Sequence, residues 1–263
     1  MTGPATDIPS LSLIVPLYNE EARVGETFDD LVKFARGGES TIELIFVDDG
    51  STDRTRGTVR SLLTSTDGVD MRLLCLPHQG KGAAVRAGIA AAHSEYAGFC
   101  DVDLSTPLDD FRHIFERASK NGGTLAIGSR EAPGANLLQR SRTRQLLGRL
   151  YNRLLRNTVI RDISDTQCGA KIASVTVWQS VLPYCREVGF AWDAEAIAIA
   201  QNLGIKVEEV PIVWRHDARS KVQPIRDGIR MVLAIRRIEK SVEAATRDAA
   251  TKDPTQPPSW DDA

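Results

Sequence analysis

Cysteine is scarce in this chain: Cys75, Cys100, Cys168 and Cys185 are four in 263 residues, and none forms a CxxC pair. Two of them sit in apolar, strand-like runs, so they read as reduced and mostly buried thiols of a cytoplasmic protein. No run of about 18 apolar residues occurs, and no charged-then-apolar stretch opens the chain, so neither a membrane span nor a secretory signal is expected. Charge of one sign is lacking as well. With 33 Lys and Arg against 35 Asp and Glu the formal net charge is −2, which excludes a general nucleic-acid binder and makes any basic partner surface a local one. There is no internal repeat.

What is present is ample apolar material, 42% of the residues, enough for the core of one large domain. Apolar, β-rich runs alternate with helical patterns: "LSLIVPL", a helix through Val32, "IELIFVD", a helix through Leu63, "MRLLCLP", an Ala-rich helix near Ala90, and "YAGFCDVD". That alternation predicts an α/β fold with a mostly parallel central sheet flanked by helices. A single domain is expected over residues 10–242, between a disordered N-terminal tail (1–9) and a disordered, Pro-rich and polar C-terminal tail (243–263).

Ligands of such sheets bind beyond the carboxyl ends of the strands, which places Tyr18 to Glu20, Asp48 to Ser51 and Asp101 to Ser105 along one edge. In "FCDVDLSTP" a strand would direct Asp101 and Asp103 to one side with Val102 opposed. Two carboxylates in one small space suit a hard divalent cation, Mg²⁺ or Mn²⁺; equally, acids there cap a helix beginning near Leu108. "FVDDGSTD" offers a turn, a helix cap and acids able to accept a base N–H. "HQGKGAAVRAG" follows the third strand and lacks GxGxxG spacing, which counts against a dinucleotide site, and its Lys81 is either solvated or close to a pyrophosphate.

In this order, "IVPLYNEE", "FVDDGSTD", "GKGAAVRAG", "DVDLS" and "GSR" resemble the family 2 glycosyltransferases of the GT-A, Rossmann-like nucleotide-sugar fold. "QRSRTR", "IRDISDTQCGAKI", "FAWDAEAIAIAQNLGIKVEEVPIVW" and "RSKV" narrow the similarity to dolichyl-phosphate β-glucosyltransferases and their bacterial polyprenyl-phosphate relatives, over about Ser10 to Val242. The resemblance implies that Asp48 and Asp49 hold a uracil, that Pro16, Tyr18, Glu20, Ser51 and Lys81 line the nucleotide sugar, and that Asp101 and Asp103 ligate Mg²⁺ or Mn²⁺ on the diphosphate. It further implies an acceptor phosphate near Arg130 and Arg140, and a lid carrying Lys221 over the donor. The activity so implied is inverting transfer of a sugar, glucose from UDP-glucose first, onto a polyprenyl or dolichyl monophosphate at the cytoplasmic face of a membrane. Mannose or another sugar, or a hydroxyl acceptor, is the alternative.

The chemistry separates the acceptors. A phosphate monoester is already largely dianionic near neutrality, with a second pKa of about 6, and needs positioning more than deprotonation. A hydroxyl needs a general base, and Asp193 in "FAWDAEA" is the candidate; its alternative role, with Glu195, is to sit at a helix start where the dipole favours acids. The stretch from Asn136 to Arg161 carries seven arginines and no acid. Leu147, Leu150, Tyr151, Leu154 and Leu155 recur there at helical spacing opposite Arg142, Arg149, Arg153 and Arg156. The pattern predicts docking on a membrane surface, with Arg140 and Arg144 turned toward the acceptor phosphate.

Overall fold

The structure is a computed structural model that describes residues 8–120, 122–138, 142–215 and 224–251. Strand and helix alternate as β1 (Leu11–Leu17), α1 (Glu21–Arg36), β2 (Ile42–Asp49), α2 (Thr55–Thr64), β3 (Met71–Leu76), α3 (Lys81–Ala90), β4 (Tyr96–Cys100) and α4 (Leu108–Lys120). Then follow β5 (Thr124–Ser129), β6 (Asn136–Leu138), α5 (Arg142–Arg156), β7 (Ala170–Ser174), α6 (Val175–Val181), α7 (Trp192–Asn202), β8 (Lys206–Pro211), β9 (Val213–Arg215) and α8 (Pro224–Thr251).

Seven strands form one sheet in the order β3-β2-β1-β4-β7-β5-β8, and β6 pairs with β9 in a small second sheet. All pairings are parallel except those of β7, which runs antiparallel to β4 and β5. The central strands read as unbroken apolar runs because both faces are covered. Ile14 and Ile45 face a core built with α3, α5, α6, α7 and α8, whereas Leu13 and Leu44 face one built with α1, α2 and α4. Register does the positioning: Leu17 lies opposite Asp48 and Asp49 opposite Leu76, so the loops after β1, β2 and β3 leave the sheet side by side.

Two elements differ from expectation. Helix α8 continues to Thr251 instead of giving way to a tail after Val242, because its inner face still has partners: Ala245 is buried and Thr246 Oγ1 exchanges hydrogen bonds with the Asn202 amide (2.9 and 3.1 Å). Helix α5 is amphipathic as read, and among its described side chains Tyr151, Asn152 and Leu155 are the buried ones. Tyr151 and Leu155 pack in the core with Ile235 and Ile238 of α8, while Leu146 is 70% and Leu150 54% exposed. Among the described residues no helix is long and apolar enough to cross a membrane.

Candidate active site

Beyond the carboxyl ends of β1, β2 and β4 lies a cavity of about 730 Å³. Pro16, Tyr18, Glu20, Asp49, Lys81, Asp101 and Asp103 all line it, so these seven expected site residues converge. Asp48 and Ser51 are not in its wall. Asp48 is fully buried and receives Arg56 Nη2 at 2.7 Å and the Ser51 backbone N–H at 3.3 Å. Ser51 Oγ accepts the Asn19 N–H (2.9 Å), tying the loop after β2 to the loop after β1. Both brace the loops at the rim of the cavity.

At one end of the cavity, Tyr18 stacks on His78 with ring centroids 4.0 Å apart and 16° between planes. The carboxylate of Asp49 gathers the loop after β3, accepting from the N–H of Gln79 (2.8 Å) and of Gly80 (2.9 Å) and meeting His78 Nδ1 at 2.8 Å. Gly80 is required there on two counts, since its φ is +128° and a Cβ would fall 2.5 Å from the Val188 carbonyl oxygen. His78 was not anticipated from sequence; its signal was its place just past a strand end beside the Gly-Lys-Gly turn.

Asp101 and Asp103 share the cavity for a reason other than strand alternation. β4 stops at Cys100, and the acids stand on a turn in which the Leu104 N–H reaches the Asp101 carbonyl (3.0 Å) with Leu104 at a φ of +46°. Asp103 Oδ1 also accepts the Ser105 N–H at 2.9 Å, a local cap of the turn and not of α4. Burial first, and then the charge of Asp101, push the Asp103 carboxyl above the usual carboxylate range despite the Ser105 hydrogen bond. Lys81 supplies a compensating contact, Nζ to Asp101 Oδ1 at 2.7 Å. Burial opposes the charge of that ammonium, but Asp101 and Asp193 outweigh it and hold Lys81 protonated above its ordinary value. Two hard carboxylates set close together at the cavity wall fit a divalent cation. Among the described residues no cluster of three or more His, Cys, Asp or Glu encloses a metal. A two-carboxylate set of this kind suits Mg²⁺ or Mn²⁺ completed by water and substrate phosphates.

Asp193 opens α7 at the back of the site and is 2% exposed. Lys171 of β7, itself fully buried, donates from Nζ to Asp193 Oδ1 (2.5 Å) and to the Cys168 carbonyl (2.8 Å), and Lys81 Nζ stands 4.0 Å from Asp193 Oδ2. Its neighbour Glu195 accepts the N–H groups of Arg186 and Glu187 and the Ser241 hydroxyl (2.7 Å), fastening that loop and α8 to α7. Lys171 escaped the sequence reading although a lysine inside the apolar run "CGAKIAS" marked it.

Arg130 is paired within the protein. Its Nε and Nη2 bind Asp165 at 2.6 and 2.7 Å, and its backbone N–H reaches the same carboxylate at 3.0 Å. Burial alone would raise Asp165, but this guanidinium pulls its carboxyl down to about 2. The bidentate pair fixes the end of β5 to the "DTQ" segment. Arg140 and Lys221 lie outside the described residues, as does the side chain of Arg144, whose backbone belongs to α5.

A mostly parallel sheet with acids beyond the carboxyl ends of β2 and β4 opens its cleft where open α/β sheets bind their ligands. The profile described as "Glycosyl transferase family 2" matches residues 12–179, and the chain belongs to that family. A dolichyl-phosphate beta-glucosyltransferase of Dictyostelium discoideum is 32% identical over 239 residues, covering 87% of this chain and 73% of that protein. The human dolichyl-phosphate beta-glucosyltransferase is 29% identical over 233 residues, covering 84% and 72%. The fold is GT-A, like that of glucosyl-3-phosphoglycerate synthase from Mycobacterium tuberculosis solved with Mn²⁺, UDP and phosphoglyceric acid. That chain superposes with a TM-score of 0.64 at 19% identity, over 94% of this chain and 80% of its own.

Proposed function

We propose that this protein transfers glucose from UDP-glucose, with inversion, to the phosphate of a polyprenyl or dolichyl monophosphate at a membrane surface. The observation that carries the choice of acceptor is the clamp on Asp193. A base for a hydroxyl acceptor must be able to take a proton within hydrogen-bond reach of it, and Asp193 is buried, bonded to Lys171 and faced by Lys81. Its Oδ1 is occupied by Lys171 and its Oδ2 faces Lys81, so the carboxylate is engaged within the protein and not open to an acceptor hydroxyl. A phosphate that arrives already ionised needs no base, and the names of the relatives agree with that acceptor.

In this reading the Tyr18–His78 stack walls the flat nucleobase, and Asp49 spends remaining acceptor capacity on its ring N–H. Asp101 and Asp103 hold Mg²⁺ or Mn²⁺, which when bound supplies charge neutralisation for the departing diphosphate. Lys81, released from Asp101 as the site fills, stays close to the same negative charge. The protein is peripheral to the cytoplasmic face. Leu146, Leu147 and Leu150 of α5 and Ile229, Val232 and Leu233 of α8 are exposed on two helices that pack together, amid the arginines of α5. Its four cysteines are free, which suits a reducing compartment.

The test is a screen of radiolabelled nucleotide sugars against acceptors. Label from UDP-glucose should enter a prenyl phosphate and resist mild alkali only as far as a phosphodiester does. Transfer to phosphoglycerate or simple sugars in preference to the lipid would overturn the assignment, and a preference for a mannose donor would change the sugar.

A further inference from the structure

The cavity has a second charged wall, formed by α8. Of the cations lining it, Lys81 is engaged by Asp101, Arg23 by Glu20 (2.8 Å) and Arg237 by Glu187 (2.5 Å). Arg226 and Arg230 also line it, both exposed, and neither has a hydrogen-bond or ion-pair partner among the described residues. They stand one turn apart on α8, where two like charges repel unless an anion sits between them.

We infer that Arg226 and Arg230 form the binding site for the acceptor's phosphate; this rests on the phosphate-acceptor reading above. The wall they belong to is mixed in character. Val188, Phe190 and Met231 line the cavity beside them, and Ile229 and Leu233, on the adjoining face of the same helix, are 58% and 63% exposed. Cations that border both a cavity and an uncovered apolar strip match a phosphomonoester on a long apolar chain, with the dianion inside and the chain leaving along α8. A nucleotide sugar has no apolar part to match that strip. Arg130, one of the arginines that resemblance put forward, has spent Nε and Nη2 on Asp165, whereas the guanidiniums of Arg226 and Arg230, without partners among the described residues, keep their forks for phosphate oxygens.

The experiment uses the full chain with Mn²⁺, UDP-glucose and a water-soluble, short-chain prenyl phosphate in the absence of vesicles. Arg226→Gln/Arg230→Gln should raise the KM for the prenyl phosphate by about tenfold or more and leave the Kd for UDP, measured by calorimetry, within about twofold. Retained UDP binding also reports that the variant is folded. Arg236→Gln, on the same helix but outside the cavity wall, should change neither. A parallel loss of UDP affinity would assign the pair to the donor and overturn the inference. So would an unchanged KM accompanied by loss of binding to phosphatidylglycerol-containing vesicles but not to phosphatidylcholine, since the pair would then serve lipid headgroups. Wild-type enzyme that transfers nothing to the prenyl phosphate overturns the phosphate-acceptor reading and this site with it; normal transfer with an unchanged KM in the variant overturns the site alone.

Discussion

The backbone of Gly169 forms the floor under the carboxylate of Asp101: a Cβ at position 169 would lie 2.5 Å from Asp101 Cγ and overlap Oδ2. Asp101 is short and stands on a turn, so it has no room to yield without moving its oxygens. Gly169→Ala should therefore leave the fold in place and lower kcat by about a hundredfold, the scale of a displacement near 1 Å at a reacting centre. Circular dichroism alongside initial rates checks it; full activity would show that the Asp101 oxygens need not sit where they do.

Asp103→Asn should lower kcat on the order of a hundredfold or more, and chelation of divalent ions should do the same to the wild type. Its effect on stability has the opposite sign to most substitutions. The Asp103 carboxyl is disfavoured as an anion by burial and by Asp101, so removing its charge should leave the metal-free Tm unchanged or raised. Differential scanning calorimetry in chelator reads this directly.

Lys171→Met removes the ammonium that touches Asp193 while keeping most of the packing, and leaves a buried carboxylate with Lys81 alone at 4.0 Å. The cost should be about 3 kcal/mol in urea unfolding. Lys171→Met/Asp193→Asn should regain a good part of it, because no unpaired charge then remains buried. Equal stability of the single and double variants would mean that Lys171 acts through packing.

Asp165 makes the acid side of the stability profile legible. Its carboxyl is held at about 2 against an ordinary 3.8, so it contributes stability that is complete above pH about 4 and is lost as pH falls through the folded value. The difference is on the order of 2 kcal/mol. Asp165→Asn should be less stable at neutral pH and should lose the slope between pH about 4 and 2, as followed by denaturant titrations across that range.

Membrane attachment should have an apolar and an ionic part. Leu146→Ser/Leu147→Ser/Leu150→Ser should weaken sedimentation with anionic vesicles even at high salt, since each buried leucine side chain contributes about 1.5–3 kcal/mol. Arg153→Gln/Arg156→Gln should reduce mainly the part that salt abolishes. Vesicle binding untouched by both sets would move the docking face elsewhere.

Sequence by itself determined the strand–helix alternation of the first half, the edge at which the site opens and the nearness of Asp101 to Asp103, because apolar periodicity and turn chemistry are local and the motifs sit at strand ends. Tertiary structure decided which charges are available. Asp48 and Asp49 are adjacent in sequence, yet Arg56 captures the first and the loop after β3 holds the second at the cavity wall. Arg130 is taken by Asp165 from 35 residues away and Asp193 by Lys171 from 22, while Arg226 and Arg230 line the cavity with no partner among the described residues. Spacing along the chain reveals which residues carry charge; which of those charges are spent on each other depends on contacts between distant strands and helices, and only the folded arrangement creates them.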